Sequence, residues 1–279
     1  MKVLGLVASA RRLGNSEILA KEIMSRLPEG MDKVMIRLTD LHIQQCTACY
    51  ACLPEDKSCV IQDDFGFVIN QIKQADAVVI AAPCYFLGPH TAVKLMNDRL
   101  ISVINDARAF AGKKCVVAVS YGIDEWQGYA LEATVSFARF LHLDVVGSML
   151  VRAASPGEAV RPEVLTETQR LAEALVGGPK TEPETGIQHC EACGSSLLQL
   201  TSAGRVECRL CGSKGFIEKE DGGRFRIRFE TSQHPRYSPE GMTEHGRVLE
   251  AVRDQYLAER QQLNKLRKPY QAIDWWIKP

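Results

Sequence analysis

Over residues 1–177, short continuous apolar runs alternate with segments of helical period. Val3–Val7 predicts a buried strand, and Ser16–Leu27 a helix whose Leu19, Ile23 and Leu27 share one face. Val34–Leu38 is strand-like, and a helix is expected from about Asp64 to Lys73. The run ADAVVIAAP is a continuous apolar strand ending at Pro83. His90–Ile104 then reads as helix, Cys115–Ser120 as strand, Ala130–Leu141 as helix, Val145–Val151 as a fifth strand and Pro162–Val176 as a last helix. Strands that are apolar at every position are buried on both faces, as in a parallel sheet between two helical layers. This rhythm predicts an α/β domain with a doubly wound, five-stranded parallel sheet, its strand order left open.

The pattern changes at GGPKTEPETG, Gly177–Gly186, where Gly, Pro and charge replace periodicity. The expected organisation is a first domain over 1–177, a linker over 178–186, a small domain over 187–231 and a C-terminal helix with an aromatic tail over 232–279. Two CxxCG knuckles flank a hairpin-like stretch, and Phe216–Phe229 continues in short strands. From about Met242 to Arg267 a long polar helix carries Leu249, Val252, Tyr256, Leu263, Leu266 and Tyr270 at heptad core positions, with Glu259 interrupting. The tail adds Ile273, Trp275, Trp276 and Ile277, an apolar group that needs a surface to cover it, on this chain or on a second copy.

Charge narrows the function. The 279 residues carry 34 basic and 34 acidic side chains, so no net field draws the chain to nucleic acid or an anionic membrane. No apolar run approaches the roughly 20 residues of a membrane span. MKVLGLVASARR has an apolar run too short for a signal peptide and reads as the first strand, so a cytoplasmic location is expected. In a reducing compartment, ten cysteines point to metal or redox chemistry before disulfides.

Candidate chemistry gathers where strands end. SARRLGNS, Ser9–Ser16, joins the first strand to the first helix, where backbone N–H groups bind phosphate and Arg11 or Arg12 adds charge. The alternative is an ordinary turn capped by Asn15 or Ser16. APCYFLGPH and SYGIDEWQG follow the third and fourth strands and carry aromatics and glycine suited to a planar ring. Cys84 lies in the first of these loops and Cys115 in a strand; single cysteines are usually small buried hydrophobes. Asp63 and Asp64 read as a favourable acidic start to a helix.

Eight cysteines form two sets. Cys46, Cys49 and Cys52 are spaced by two residues each, with Cys59 seven further on. Three thiolates from one tight loop fit the corners of a four-iron cluster better than a single zinc ion, though zinc or free thiols stay open. Cys190-x2-Cys193 and Cys208-x2-Cys211 are paired knuckles of zinc-ribbon spacing, with a rubredoxin-like iron site as the alternative. Four thiolates leave no position for substrate, so this metal is expected to be structural.

The blocks SARRLGNS, CTACYACLPEDKSCVIQDDF and ADAVVIAAPCYFLGPHTAVKLMNDRL resemble the NADPH-dependent FMN reductase group of flavodoxin-like proteins, and within it the iron–sulfur flavoproteins. The resemblance covers roughly the first 175 residues. It implies that Ser9, Arg11, Gly14, Asn15 and Ser16 hold the FMN phosphate. It implies that Pro83, Tyr85 and Phe86 line the flavin ring, with a looser match at Ser120, Tyr121 and Gly122. It implies a [4Fe–4S] cluster on Cys46, Cys49, Cys52 and Cys59. Ala8 and Ala10 depart from the glycine and proline frequent in the family, and Val60 stands where bacterial ferredoxins have proline.

The expectation is therefore a flavin-dependent oxidoreductase moving electrons between FMN and a cluster, fed by NAD(P)H or a reduced ferredoxin-like carrier, and assembled as a homo-oligomer. One alternative is an NAD(P)H-dependent flavin or quinone reductase without a cluster. Another is a redox-sensing binding module built on the ribbon. In the ribbon Lys214, Arg224, Arg226 and Arg228 are offset by Glu218, Glu220, Asp221 and Glu230, which argues against a nucleic-acid surface.

Overall fold

The computed structural model describes all residues except 55–56, 182–186, 232–234, 273–274, 276 and 278–279. Six strands and six α-helices build the first domain. They are β1 (Lys2–Val7), α1 (Asn15–Ser25), β2 (Asp32–Arg37), α2 (Phe65–Gln74), β3 (Ala77–Tyr85), β4 (Gly88–Pro89), α3 (Thr91–Asn97), α4 (Ala107–Phe110), β5 (Lys114–Tyr121), α5 (Ala130–Phe140), β6 (Asp144–Arg152) and α6 (Pro162–Leu175). The order β2-β1-β3-β5-β6 is parallel throughout, and β4 folds back antiparallel on the end of β3.

Period-two alternation inside the apolar runs splits the core in two. Leu4 and Leu6, Val78 and Ile80, and Val117 and Val119 face the layer that includes α2, α3 and α5. Val3 and Val7, Val79 and Ala81, and Val116 and Ala118 face α1 and α6. That double burial explains why these strands lack polar positions.

One expected element divides. The helix read over His90–Ile104 ends at Asn97 and is followed by a 3₁₀ run, Leu100–Asp106, interrupted at Val103 (φ −123°). The break falls where Arg99 turns into the interior to pair with Asp63. Leu38 also leaves β2 and opens a 3₁₀ turn, Leu38–Asp40.

A four-stranded antiparallel sheet follows: β7 (Leu198–Leu200), β8 (Arg205–Cys208), β9 (Lys214–Lys219) and β10 (Phe225–Phe229), in the order β10-β9-β8-β7. Of the expected linker, 178–181 lies along the sheet edge, with Thr181 N donating to Val146 O at 3.0 Å and Lys180 paired with Asp144 at 2.8 Å. Residues 182–186 are outside the described ones. The ribbon touches the first domain where Ser196 Oγ donates to the Glu132 carboxylate and His142 hydrogen-bonds the backbone of Tyr237.

Helix α7 (Pro239–Arg267) begins on a Ser238 cap, Oγ accepting from Gly241 N at 3.0 Å. Gly246 faces Ile104, but beyond this contact Val248, Val252, Tyr256, Leu257 and Leu266 are exposed. Trp275 is 85% and Ile277 98% exposed, so these tail residues do not dock on their own chain; Ile273 and Trp276 are outside the described residues.

Candidate functional site

The loop after β1 is shaped by what its backbone must do. Leu13 is left-handed (φ 54°), and Gly14 follows as the N-cap of α1 without any side-chain cap. A Cβ at Gly14 would stand 2.9 Å from Arg11 Cβ and 3.1 Å from Arg11 O, so only glycine fits. The first amides of α1 are thus left free to meet an anion. Neither Asn15 nor Ser16 caps the helix; the cap position belongs to Gly14.

Asn15 instead ties two loops together. Its Nδ2 donates to Ala153 O and Ser155 O, both at 2.9 Å, while its Oδ1 accepts from Gly157 N and Ala159 N at 3.1 and 3.4 Å. Arg37, at the end of β2, clamps the loop from the other side. Its guanidinium donates to Ser9 O at 2.8 Å, Arg11 O at 3.2 Å and the Glu17 carboxylate at 2.6 Å. Burial alone would raise the Glu17 carboxyl, but donors from Lys21, Arg37 and Leu13 N outweigh it and lower it to about 2. This carboxylate, early in α1, therefore stays ionised, its charge paired with Lys21 and Arg37.

The second wall is a strained hairpin. Cys84 pairs with Pro89 and Tyr85 with Gly88, leaving Phe86 and Leu87 as a two-residue turn with φ of 47° and 67°. Positive φ at both central positions belongs to a type I′ turn, which favours Asn-Gly over bulky residues. The surroundings hold it: Tyr129 N donates to Leu87 O at 2.8 Å, and a Cβ on Gly128 would lie 2.1 Å from that same oxygen. The result leaves Phe86 87% exposed, and Trp126 and Tyr129 of the loop that holds the turn are exposed as well.

Between these walls lies an open cleft of about 180 Å³. It gathers Ser9, Arg11, Gly14, Asn15, Pro83, Tyr85, Ser120, Tyr121 and Gly122 from the sequence reading. Ser16 does not line it and is buried, with its Oγ 3.3 Å from that of Ser120; Phe86 does not line it either and is exposed. The sequence reading missed Ala153, Ala154 and Pro156, which also line it. Their one available signal was position, at the carboxyl end of the fifth strand, where doubly wound sheets bind ligands. Cys84 lines the cleft too, but its Sγ donates to Gln127 O at 3.3 Å and burial pushes its thiol up, away from thiolate. Cys115 is fully enclosed in β5, and burial raises its thiol further still.

The two cysteine quartets differ. Cys190, Cys193, Cys208 and Cys211 are 1–6% exposed, with Cys190 Sγ 3.4 Å from Cys211 Sγ and Cys193 Sγ 3.6 Å from Cys208 Sγ. Four sulfurs around one ion at about 2.3 Å stand a little under 4 Å apart. The knuckles match each other: Gly194 N donates to Cys190 O and Gly212 N to Cys208 O, each glycine left-handed (φ 73° and 75°). Among the described residues this is the one set of three or more potential ligands within 4.8 Å of one another.

Cys46, Cys49, Cys52 and Cys59 are not at that spacing, and Cys46 and Cys49 are exposed. Their loop nevertheless turns its backbone toward sulfur. Ala48 and Tyr50 are left-handed (φ 51° and 55°), Ala48 N approaches Cys46 Sγ at 3.5 Å, and the Ala51 amide followed by the Thr47 side chain lowers the Cys49 thiol. Burial, then the neighbouring sulfur of Cys59, raises that of Cys52. A four-iron cube holds its ligand sulfurs further apart than a single ion does. The open loop with its inward amides leaves room for the larger group.

With this geometry in place, comparison with known proteins becomes informative. Residues 1–155 match the model of the NADPH-dependent FMN reductase family. The chain belongs to that family. An iron–sulfur flavoprotein of Methanocaldococcus jannaschii is 34% identical over 100 residues, covering 36% of this chain and 51% of that one. One from Methanosarcina thermophila is 31% identical over 124 residues, covering 44% and 63%. The chain spans about half the length of the curated relatives it matches first. A solved structure described as a flavone reductase aligns over 100% of both chains with a TM-score of 0.77 at 21% identity, a likeness of fold that includes the ribbon and α7. The NADPH-dependent FMN reductase domain thus carries, in this chain, a cysteine loop between β2 and α2 and a ribbon after α6. Among the described residues no helix is long and apolar enough to cross a membrane.

Proposed function

We propose that this protein is a flavin-dependent oxidoreductase that binds FMN in the cleft between the β1–α1 loop and the β3–β4 hairpin. The observation that carries the reading is the uncapped start of α1 opening into a cleft walled by Ser9, Arg11 and Ser120 and by the aromatic residues Tyr85 and Tyr121. Free N–H groups and Arg11 suit a phosphate, and Tyr85 with the Ser120–Gly122 segment suits a planar ring. FMN would supply two-electron exchange with a hydride donor and one-electron exchange with a metal cluster. The chain's part is to hold the phosphate, orient the ring and bring the cysteine loop to the same sheet edge.

In this reading Cys46, Cys49, Cys52 and Cys59 hold a [4Fe–4S] cluster, and the ribbon quartet holds one structural zinc. The donor is NAD(P)H or a reduced carrier. A second reading, a flavin or quinone reductase without a cluster, draws support from the exposure of Cys46 and Cys49.

Protein purified without oxygen should be yellow-brown and release FMN on denaturation. Arg11→Ala should weaken FMN binding by roughly 10- to 100-fold, the loss of one charge-assisted phosphate contact, and leave riboflavin binding unchanged. Equal losses for both would remove Arg11 from the phosphate role. The exposed stripe of α7 and the tail further support a homo-oligomer in which a second copy covers them. Deleting residues 269–279 should lower the mass seen by light scattering. An unchanged mass would place the contact elsewhere.

A further inference from the structure

Among the described residues Arg99 is the largest fully buried side chain, 1% exposed, and it does not line the cleft. Burying a guanidinium is costly, and a well-packed apolar residue usually serves stability as well. Where its donors go explains its presence. Nη1 pairs with the buried Asp63 carboxylate and reaches Gln44 O at 3.4 Å. Nη2 reaches Ile61 O at 3.4 Å and Cys59 Sγ at 3.3 Å. The plane is stacked over the Phe65 ring, 4.3 Å from its centroid.

Asp63 completes the knot by accepting from Gln44 N at 2.7 Å and Phe65 N at 3.1 Å. Asp64 adds a second clip, accepting from His42 N at 2.7 Å. Residues 42–44 and 61–64 are the two stems of the cysteine loop. One arginine, from the turn after α3, therefore fastens both stems and aims one Nη2 donor at a loop sulfur, while its buried Nε–H has no partner among the described residues.

We propose that Arg99 is a positioning residue for the metal-binding cysteine loop: it fixes the stems and donates a charge-assisted hydrogen bond to the Cys59 thiolate. This rests on the reading of that loop as a cluster site. The pairing with Asp63 cancels the charge of the guanidinium at long range but leaves the directed N–H on sulfur. Such a donor stabilises the more negative, reduced form of a cluster and raises its potential. A plain stem clip would need the contact with Asp63 and not the one with Cys59.

The test uses the full-length chain prepared anaerobically as wild type, Arg99→Lys and Arg99→Met, with FMN content as the check on folding. Iron and sulfide per chain, resistance to an iron chelator, and the cluster potential from an EPR-monitored titration are read for each. Arg99→Met should hold iron 10- to 100-fold less tightly, as expected for loss of an outer-shell partner. Arg99→Lys keeps the pairing with Asp63 but cannot fork to Cys59, so it should retain iron with a lowered potential. Wild-type potential and chelator resistance in both variants would overturn the role of Arg99 while leaving the cluster standing. Wild-type protein lacking iron and sulfide beyond the ribbon metal would overturn the cluster reading and this inference with it. Should Arg99→Met fail to retain FMN, Arg99→Lys decides alone, and an unchanged potential there rejects the proposal.

Discussion

The two cysteine quartets use the same ligand atom to build opposite kinds of site. In the ribbon, four thiols are buried with sulfur pairs at 3.4 and 3.6 Å, and glycine-turned knuckles bring each pair together locally. The ribbon packs few other side chains: Val206 and Ile227 are buried, and Leu198, Leu210, Phe229 and Tyr237 are partly buried around the sulfurs. The N-terminal quartet sits on a domain whose two cores are complete without it. Cys46 and Cys49 are exposed and Cys52 and Cys59 half-buried, and the stems of their loop are tied by Arg99 and Asp63. A quartet that replaces a core must be preformed; one that decorates a finished fold can stay open until loaded.

The largest expected effect follows from that contrast. With zinc in the ribbon, as proposed, Cys208→Ser should abolish its binding and unfold the ribbon, since structural zinc contributes on the order of 10 kcal/mol to small domains. Cys52→Ser should lower iron and sulfide while leaving the melting temperature of the first domain within a few degrees of wild type. Zinc analysis with circular dichroism separates the two. Comparable unfolding by both substitutions would erase the distinction. FMN content after Cys208→Ser reads the contacts of Ser196 with Glu132 and of Tyr237 with His142, and retained FMN would show them dispensable to the flavin cleft.

A smaller effect concerns reactivity. In aerobically prepared, zinc-replete protein, iodoacetamide should label Cys46 and Cys49 at least about 100-fold faster than the ribbon thiols, because the thiolate is the nucleophile and must be accessible. Cys49 leads, its thiol lowered by the Ala51 amide and Thr47; Cys52 lags, raised by burial. Peptide mass spectrometry over time reads the order. Equal rates across both quartets would mean that the ribbon is not closed in solution.

Much of this was legible along the chain because its causes are local. Strands buried on both faces must be apolar at every position, so Val3–Val7 and ADAVVIAAP announced a parallel sheet. The CxxCG knuckles announced a metal site because two residues and a glycine are what the turn requires. Other features depended on partners far away in sequence. Asp63 read as a favourable helix start until Arg99, 36 residues on, proved to be its partner. Asn15 read as a phosphate residue or a cap, and its side chain is spent on the backbone of 153–159. Phe86 and Leu87 read as a long loop and form a strained two-residue turn, tolerated because Tyr129 and Gly128 hold it. By itself the sequence determined the sheet, the ribbon and the edge where the cleft opens, since each follows from periodicity or short spacing. Only the tertiary structure decided which side chains face the cleft and which brace it, because that choice is made by hydrogen-bond partners the chain meets only once it has folded.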